Sequence, residues 1–233
     1  IAGTVFSIKS VTGSYSTSAT TGTGGSATLS ALPAGVYVVR EESVPEPYIV
    51  SNTEQTVALR PGKTSEVIFV DYEKPGLEIL KKNIATGEPI EGVTYLIEQI
   101  DGSFSTSATT DSAGRTFLDS IPVGSYRITE KNVPSHVILS EIPQEVYLEA
   151  GCTSTVTFFN AVKPSLTILK RNSVTGDPLS NAKFHIYYGS DNTTTGEIND
   201  LSVFTTDDSG KITLTDVNRG WYKLVEESAP KGF

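Results

Sequence analysis

Apolar and polar residues alternate along most of this chain with a period of two, the spacing of half-buried β-strands. The pattern is clearest between residues 74 and 162. There, runs at 77–83, 93–99, 115–119, 125–130, 137–140, 145–149 and 154–160 predict seven short strands. Turn-forming clusters separate them: Thr86-Gly-Glu-Pro89, Asp101-Gly102, Asp111-Ser-Ala-Gly114 and Pro122-Val-Gly124. No stretch carries a helical period. The expectation is an all-β fold, an antiparallel-rich β-sandwich in which helix is at most a minor feature.

The pattern repeats. Displaced by 89 positions, residues 1–90 align with 90–179 without a gap, and roughly 40% of the positions match. Gly13-Ser-Tyr-Ser-Thr-Ser-Ala-Thr-Thr21 answers Gly102-Ser-Phe-Ser-Thr-Ser-Ala-Thr-Thr110, and Leu77-Glu-Ile-Leu-Lys-Lys-Asn83 answers Leu166-Thr-Ile-Leu-Lys-Arg-Asn172. A third copy carries about seven extra residues in a polar stretch at 189–200 and realigns at Thr205-Thr-Asp-Asp-Ser-Gly210. This period exceeds that of solenoid repeats, so each copy is long enough to bury its own core. Lys74-Pro75 and Lys163-Pro164 follow strand-like runs at equivalent places. Proline there ends a ladder and stiffens a short linker. The expected domains are 1–73, lacking its first strand; 74–162, complete; and 163–233, cut before its last strands.

Period-two counting also aims polar residues inward. Lys81 shares a face with Leu77 and Ile79; Glu130 with Tyr126 and Ile128; Asn160 with Val156 and Phe158. A lone buried charge costs several kcal/mol, so three such residues in one core need a joint explanation. The repeat supplies their counterparts: Lys170 for Lys81, Glu41 and Glu226 for Glu130, and Asp71 for Asn160. It also selects Glu41 and Glu226, rather than Glu42 and Glu227, as the inward members of their doublets. Lys82 and Arg171 fall on the opposite, solvated face.

Two outcomes are open to a buried Lys, carboxyl and amide. One is a hydrogen-bonded ion pair. The other is chemistry: desolvation lowers a Lys pKa and raises a Glu pKa, so a neutral amine and a neutral acid can coexist. The amine is then a nucleophile, and the acid can polarise the amide and pass protons to departing ammonia or water. The product, a Lys–Asn amide, would tie the first strand to the last and remove both charges.

Composition narrows the classes. The chain has 233 residues, 37% hydrophobic and 19% charged, and Ser plus Thr make up roughly a quarter of it. A formal charge of −9 and a pI near 4.8 argue against nucleic acid or an anionic membrane as partner. No apolar run is long enough for a membrane span. Absence of Met reads as a segment taken from a longer chain. The single Cys152 and the two His residues, His136 and His185, lie far apart, so neither a zinc site nor a disulfide scaffold is expected. Cys152 reads as a tolerated position in a turn. Asp191, Asn192, Glu197 and Asp200 offer only a weak calcium signal, without the spacing of an EF-hand. No cofactor or metal is implied.

The motifs Leu-Lys-x-Asn-x-x-Thr-Gly-x-Pro, Tyr-x-Leu-x-Glu-x-x-Ala-Pro-x-Gly-Phe (Tyr222 to Phe233) and Val-x-Phe-x-Asn/Asp resemble those of the Cna protein B-type domain. That prealbumin-like, Ig-like sandwich is repeated in tandem in Gram-positive surface adhesins and SpaA-type pilins. The resemblance implies autocatalytic intramolecular isopeptide bonds. Lys81 would be the nucleophile, Asn160 the electrophile and Glu130 the proton shuttle. Lys170 with Glu226 would lack an acceptor lying beyond Phe233, and Glu41 with Asp71 would lack a Lys lying before Ile1. The Ala-Pro-x-Gly-Phe box is full only in the third copy; the others read Val-Pro-Glu-Pro-Tyr48 and Val-Pro-Ser-His-Val137. No sorting signal or pilin-motif Lys is evident.

The function so implied is that of an extracellular, cell-wall-attached stalk or shaft segment whose partners are the neighbouring repeats of the same chain. Each bond forms once, so this is not an enzyme in the usual sense. A rival is an adhesive module binding a host protein or glycan. Its candidate surfaces are the Ser/Thr-rich loops at 13–21 and 102–110 and the insertion at 189–200; an exposed aromatic patch of Tyr187, Tyr188 and Trp221 beside that insertion would favour this reading. A metal enzyme on a transthyretin-like sandwich is a distant third.

Overall fold

The computed structural model describes residues 1–189, 199–230 and 232. Among these the regular structure is all strand. The first repeat holds β1 (Val5–Ser10), β2 (Ser16–Thr20), β3 (Gly35–Ser43) and β4 (Gln55–Leu59). The second holds β5 (Gly76–Asn83), β6 (Thr94–Gln99), β7 (Ser105–Thr109), β8 (Arg115–Leu118), β9 (Gly124–Asn132), β10 (Gln144–Leu148) and β11 (Thr153–Asn160). The third holds β12 (Leu166–Leu169), β13 (Lys183–Gly189), β14 (Asn199–Thr205), β15 (Lys211–Leu214) and β16 (Trp221–Ser228).

Two sheets face each other in the second repeat. One is antiparallel in the order β10-β9-β6-β7; the other runs β11-β5-β8. Within the latter, β11 lies parallel to β5, from Thr153 opposite Gly76 to Asn160 opposite Asn83. First and last strands are thus neighbours running the same way. Their inward faces, with those of β6 and β9, form a core of Leu77, Ile79, Tyr95, Ile97, Tyr126, Ile128, Val156 and Phe158, sealed by Ile90, Val93 and Leu148. Full burial of each large apolar side chain contributes roughly 1.5–3 kcal/mol. Alternation therefore decides the register, since a one-residue slip would turn each strand inside out.

The other repeats show parts of the same plan. In the first, the sheet β2-β1-β3-β4 packs Ile8, Tyr37 and Val39 against Val67 and Phe69. No strand there corresponds to β5, and Ile68 and Val70 are exposed. In the third, β12 pairs with β15, and β14-β13-β16 form a second sheet. One corner recurs three times: the tyrosine hydroxyl donates to the carbonyl four residues earlier, Tyr37 to Pro33 (3.0 Å), Tyr126 to Pro122 (2.8 Å) and Tyr222 to Asn218 (2.7 Å).

Two sequence expectations need correction. Residues 137–140 are not a strand: Val137 makes one isolated bridge to Val162. The segment's backbone goes elsewhere, with Ile138 N–H donating to Ala161 O (2.9 Å) and Ser140 N–H to a carboxylate oxygen of Glu130 (3.2 Å). Conversely, the Ser/Thr-rich segments at 13–21 and 102–110 are mostly strand, not loop, as β2 and β7. Both are sheet edges, where hydroxyls suit an exposed face. Thr94 and Thr109 pair their hydroxyls across β6 and β7 at 2.9 Å, a cross-strand contact that apolar alternation does not reveal.

Candidate functional site

Lys81, Glu130 and Asn160 meet inside the second repeat. Lys81 sits on β5, Glu130 on β9 of the opposite sheet, and Asn160 ends β11. Each obeys the alternation of its own strand, and their exposures are 0%, 2% and 3%. Parallel pairing puts Lys81 opposite Phe158, so Asn160 is the next inward residue along the neighbouring strand, within reach of a long side chain.

Glu130 links the other two. Lys81 Nζ donates to Glu130 Oε1, and Asn160 Nδ2 donates to Glu130 Oε2 at 2.6 Å. Ser140 N–H also donates to Oε2. Burial lowers the Lys81 ammonium pKa from its ordinary value, an effect the Glu130 carboxylate opposes. Phe158 places its ring beneath the amine, 5.7 Å from centroid to Nζ. Two polar atoms are buried without a partner: Asn160 Oδ1 and the hydroxyl of Tyr95. Burial raises the Tyr95 pKa, and the Glu130 charge raises it further.

Such a cluster places an amine, a proton acceptor and an amide in a space closed to water. Glu130 can take a proton from Lys81 at one oxygen and deliver it to Asn160 Nδ2 at the other. Sequence reasoning missed Tyr95, because its alternation with Ile97 reads as ordinary core. It also missed Ser140, whose backbone contributes.

In the first repeat Glu41 is buried (2%), accepts a bond from Ser51 N–H at 2.6 Å, and is raised in pKa first by burial and then by nearby Asp71. Glu41 Oε1 and Asp71 Oδ1 are both buried and unpartnered. Glu42 turns outward to the Ser7 hydroxyl. In the third repeat Lys170 Nζ donates to Glu226 Oε2 at 2.8 Å, with the two side chains 26% and 33% exposed. Glu227 instead reaches His185.

No metal-binding group of three His, Cys, Asp or Glu residues occurs among the described residues. Of the weak calcium candidates, Asp200 bonds His185 Nε2 at 2.6 Å, while Asp191, Asn192 and Glu197 lie outside the described residues, as does most of the insertion at 189–200. Cys152 is exposed. The three aromatic residues beside the insertion do not form one patch. Tyr187 stacks on His185, whereas Tyr188, on the other face of β13, leans on Tyr222.

The family model of the SpaA prealbumin-like fold domain matches three times, over residues 1–73, 75–162 and 164–233. The chain belongs to this family. No curated protein matches the chain. Among solved structures, it is similar to the Bacillus anthracis TIE protein at 23% identity, over 98% of this chain and 43% of that one, with a TM-score of 0.44. A Streptococcal ancillary pilin is 19% identical over 93% of this chain and 73% of its own, with a TM-score of 0.39. The shaft pilin SpaA from Lactobacillus rhamnosus GG is 20% identical over 68% of this chain and 88% of its own, with a TM-score of 0.41. The chain thus spans less than half the length of the TIE protein chain.

Proposed function

We propose that this chain is a structural stalk or shaft segment of a Gram-positive cell-surface protein, stabilised by autocatalytic Lys–Asn/Asp isopeptide bonds. The repeats are the mechanical units, at 1–73, 74–162 and 163–233. The observation that carries the reading is the buried trio Lys81–Glu130–Asn160, shared between the first strand, the last strand and the opposite sheet.

In the second repeat, Glu130 takes a proton from the Lys81 ammonium, and the neutral Nζ attacks Asn160 Cγ. The Nζ–Cγ bond forms. Glu130 passes that proton to Nδ2 and takes the second Nζ proton as the Cγ–Nδ2 bond breaks and one ammonia leaves. The buried ammonium and carboxylate become a neutral amide and a neutral acid, which removes the desolvation cost of the pair. Because β5 and β11 are parallel neighbours, the bond joins the strand that enters the repeat to the one that leaves it. Tension then passes through the cross-link without unzipping the sandwich. Each site reacts once and is consumed, so the chemistry is self-processing and not turnover. Glu41 with Asp71 would serve a Lys-bearing strand, and Lys170 with Glu226 an acceptor, each supplied from outside this segment.

Intact mass decides the matter. The chain is expected to be one ammonia lighter than calculated, and Lys81→Ala to have its full calculated mass. An unmodified parent chain would leave the trio as a hydrogen-bonded ion pair and overturn the reading.

A further inference from the structure

We propose that Tyr95 is a catalytic hydroxyl matched to an amide acceptor: its O–H donates to Asn160 Oδ1 as Lys81 attacks, a donor that the acid acceptor of the first repeat does without. This rests on the cross-link reading above.

A buried phenol normally finds a partner, because leaving its hydroxyl unpaired costs free energy. Tyr95 is 0% exposed and its hydroxyl has none. Asn160 Oδ1, also buried, has none. The two orphans are a donor and an acceptor, and both flank Glu130. Tyr95 is the cross-strand partner of Glu130 between β6 and β9, and Asn160 donates to the same carboxylate. The Tyr95 ring packs on Phe158, 4.8 Å between centroids, one inward residue before Asn160 on β11. Catalytic hydrogen bonds are often open before reaction and tighten on the way to the transition state.

Packing does not explain the hydroxyl. Phe6 and Phe184 hold the same place in the other repeats, opposite Glu41 and Glu226. Phe6 packs on Phe69 with nearly the geometry of Tyr95 on Phe158, 4.9 Å and 48° against 4.8 Å and 46°. The ring is thus common to both, and the hydroxyl is not. It accompanies the difference in acceptor: Asn160 with Tyr95, Asp71 with Phe6.

The chemistry explains the pairing. Attack of Nζ on Asn160 Cγ pushes charge onto Oδ1 and needs a proton on Nδ2 before ammonia can leave. Glu130 already faces Nδ2, so it serves the nitrogen side. Oδ1 then needs a separate donor, placed where the charge develops. Burial and the Glu130 charge keep the phenol protonated; it lends a hydrogen bond and retains its proton, leaving the balance of the reaction unchanged. In the first repeat the acceptor is an acid beside a Glu41 that burial and Asp71 hold toward its protonated form. A proton shared by those carboxyls polarises the carbonyl, and water departs.

The test is a rate matrix of four chains: the parent, Tyr95→Phe, Asn160→Asp and the double variant. Each is made by cell-free synthesis, quenched at intervals in acidic denaturant and read by intact mass. Tyr95→Phe should slow ammonia loss on the order of a hundredfold, the effect of removing one oxyanion donor. Loss of water from Asn160→Asp should proceed at the same rate with or without the hydroxyl, which also shows that the phenylalanine variant folds. Equal slowing in both acceptor backgrounds would reduce Tyr95 to packing. Unchanged ammonia loss in Tyr95→Phe would show the hydroxyl idle while leaving the cross-link intact. A parent chain that never loses ammonia would sink the cross-link itself, and Tyr95's role with it.

Discussion

Asn160 Nδ2 donates to Glu130 Oε2 at 2.6 Å while Lys81 occupies the other oxygen of the same carboxylate. One buried group therefore holds both the amine and the amide and orders them about a single proton path. That geometry makes Glu130 the residue on which both charge compensation and the proposed chemistry depend, and the two can be separated by mutation.

Asn160→Ala retains the Lys81–Glu130 pair but has no acceptor, so it isolates the ion pair. Adding Glu130→Ala to it strands the Lys81 charge in a site with no exposed surface. The double variant should unfold about 3–5 kcal/mol more easily than Asn160→Ala, the usual cost of breaking a buried pair from one side. Urea denaturation of the two chains at equal m-value reads this directly. Equal midpoints would mean that Lys81 has another route to neutrality.

Gly114 controls the backbone on which Lys81 sits. Its φ is +66°, its carbonyl accepts from Lys81 N–H at 2.7 Å, and a Cβ there would lie 2.5 Å from Lys81 O and 2.8 Å from Pro89 Cβ. Gly210 repeats the arrangement beside Lys170. Gly114→Ala must bear roughly 1–2 kcal/mol for the left-handed backbone and must also push Lys81 away. Lower stability together with slower cross-linking, by denaturation and timed intact mass, is the expected result. Full stability and unchanged rate would show that the turn yields without moving the strand.

Much of this site was legible because its residues sit on strands. Period-two counting from Leu77, Tyr126 and Val156 turns Lys81, Glu130 and Asn160 inward, and the 89-residue offset turns Glu41 inward in place of Glu42. What escaped depends on contacts that carry no period. Tyr95 alternates like any core residue, and only its unpaired oxygen sets it apart. Residues 137–140 alternate like a strand, yet Ser140 spends its N–H on Glu130. Ser105–Thr109 lacks an apolar face but pairs as an edge strand beside β6. Tertiary demand for hydrogen-bond partners decided these places, not side-chain hydrophobicity.

Thr110 fastens the turn before β6 to the strand after it. Its hydroxyl accepts from Val93 N–H (3.0 Å) and donates to Ile90 O (2.9 Å), and Thr21 and Thr206 have equivalent bonds. Thr110→Val keeps the shape and leaves two buried backbone groups unpaired. A loss of about 1–3 kcal/mol is expected, measured by urea unfolding of the Asn160→Ala background so that the cross-link does not mask it. No change would mean that water replaces the hydroxyl.

The third repeat should respond to pH through His185. Its Nδ1 faces Glu227 on β16 at 2.8 Å and its Nε2 faces Asp200 on β14 at 2.6 Å, while its ring stacks on Tyr187, over which Lys223 lies. Glu227 chiefly, then Asp200, hold the imidazolium above its ordinary pKa of 6.5. A raised folded pKa means that the protonated bridge stabilises fully below the unfolded value and is lost as pH climbs through the folded one. Above that point one carboxylate loses its donor and two like charges share one face. Trp221, the chain's single tryptophan, lies on β16 and reports this repeat alone. Its urea midpoint by fluorescence should fall as pH rises from 6.5, and His185→Gln should flatten the dependence. A midpoint insensitive to pH in the parent chain would show that the bridge contributes nothing.

Force gives the most direct view of what the proposed cross-link would do. A pull between Pro75 and Val162 loads β5 at Gly76 and β11 at Asn160, at opposite ends of a parallel pair. Without a covalent link the pair shears and the whole repeat unravels, adding roughly 3.3–3.6 Å for each residue released. With Lys81 joined to Asn160, the load path runs from residue 76 to 81, across the amide and out at 160. Residues 82–159 then carry no tension. A single-molecule trace of the parent chain should lack the unfolding step of the second repeat, and Lys81→Ala should restore it at full length. A full-length step in the parent would place the load on the hydrogen bonds of the sheet and remove the mechanical case for the bond.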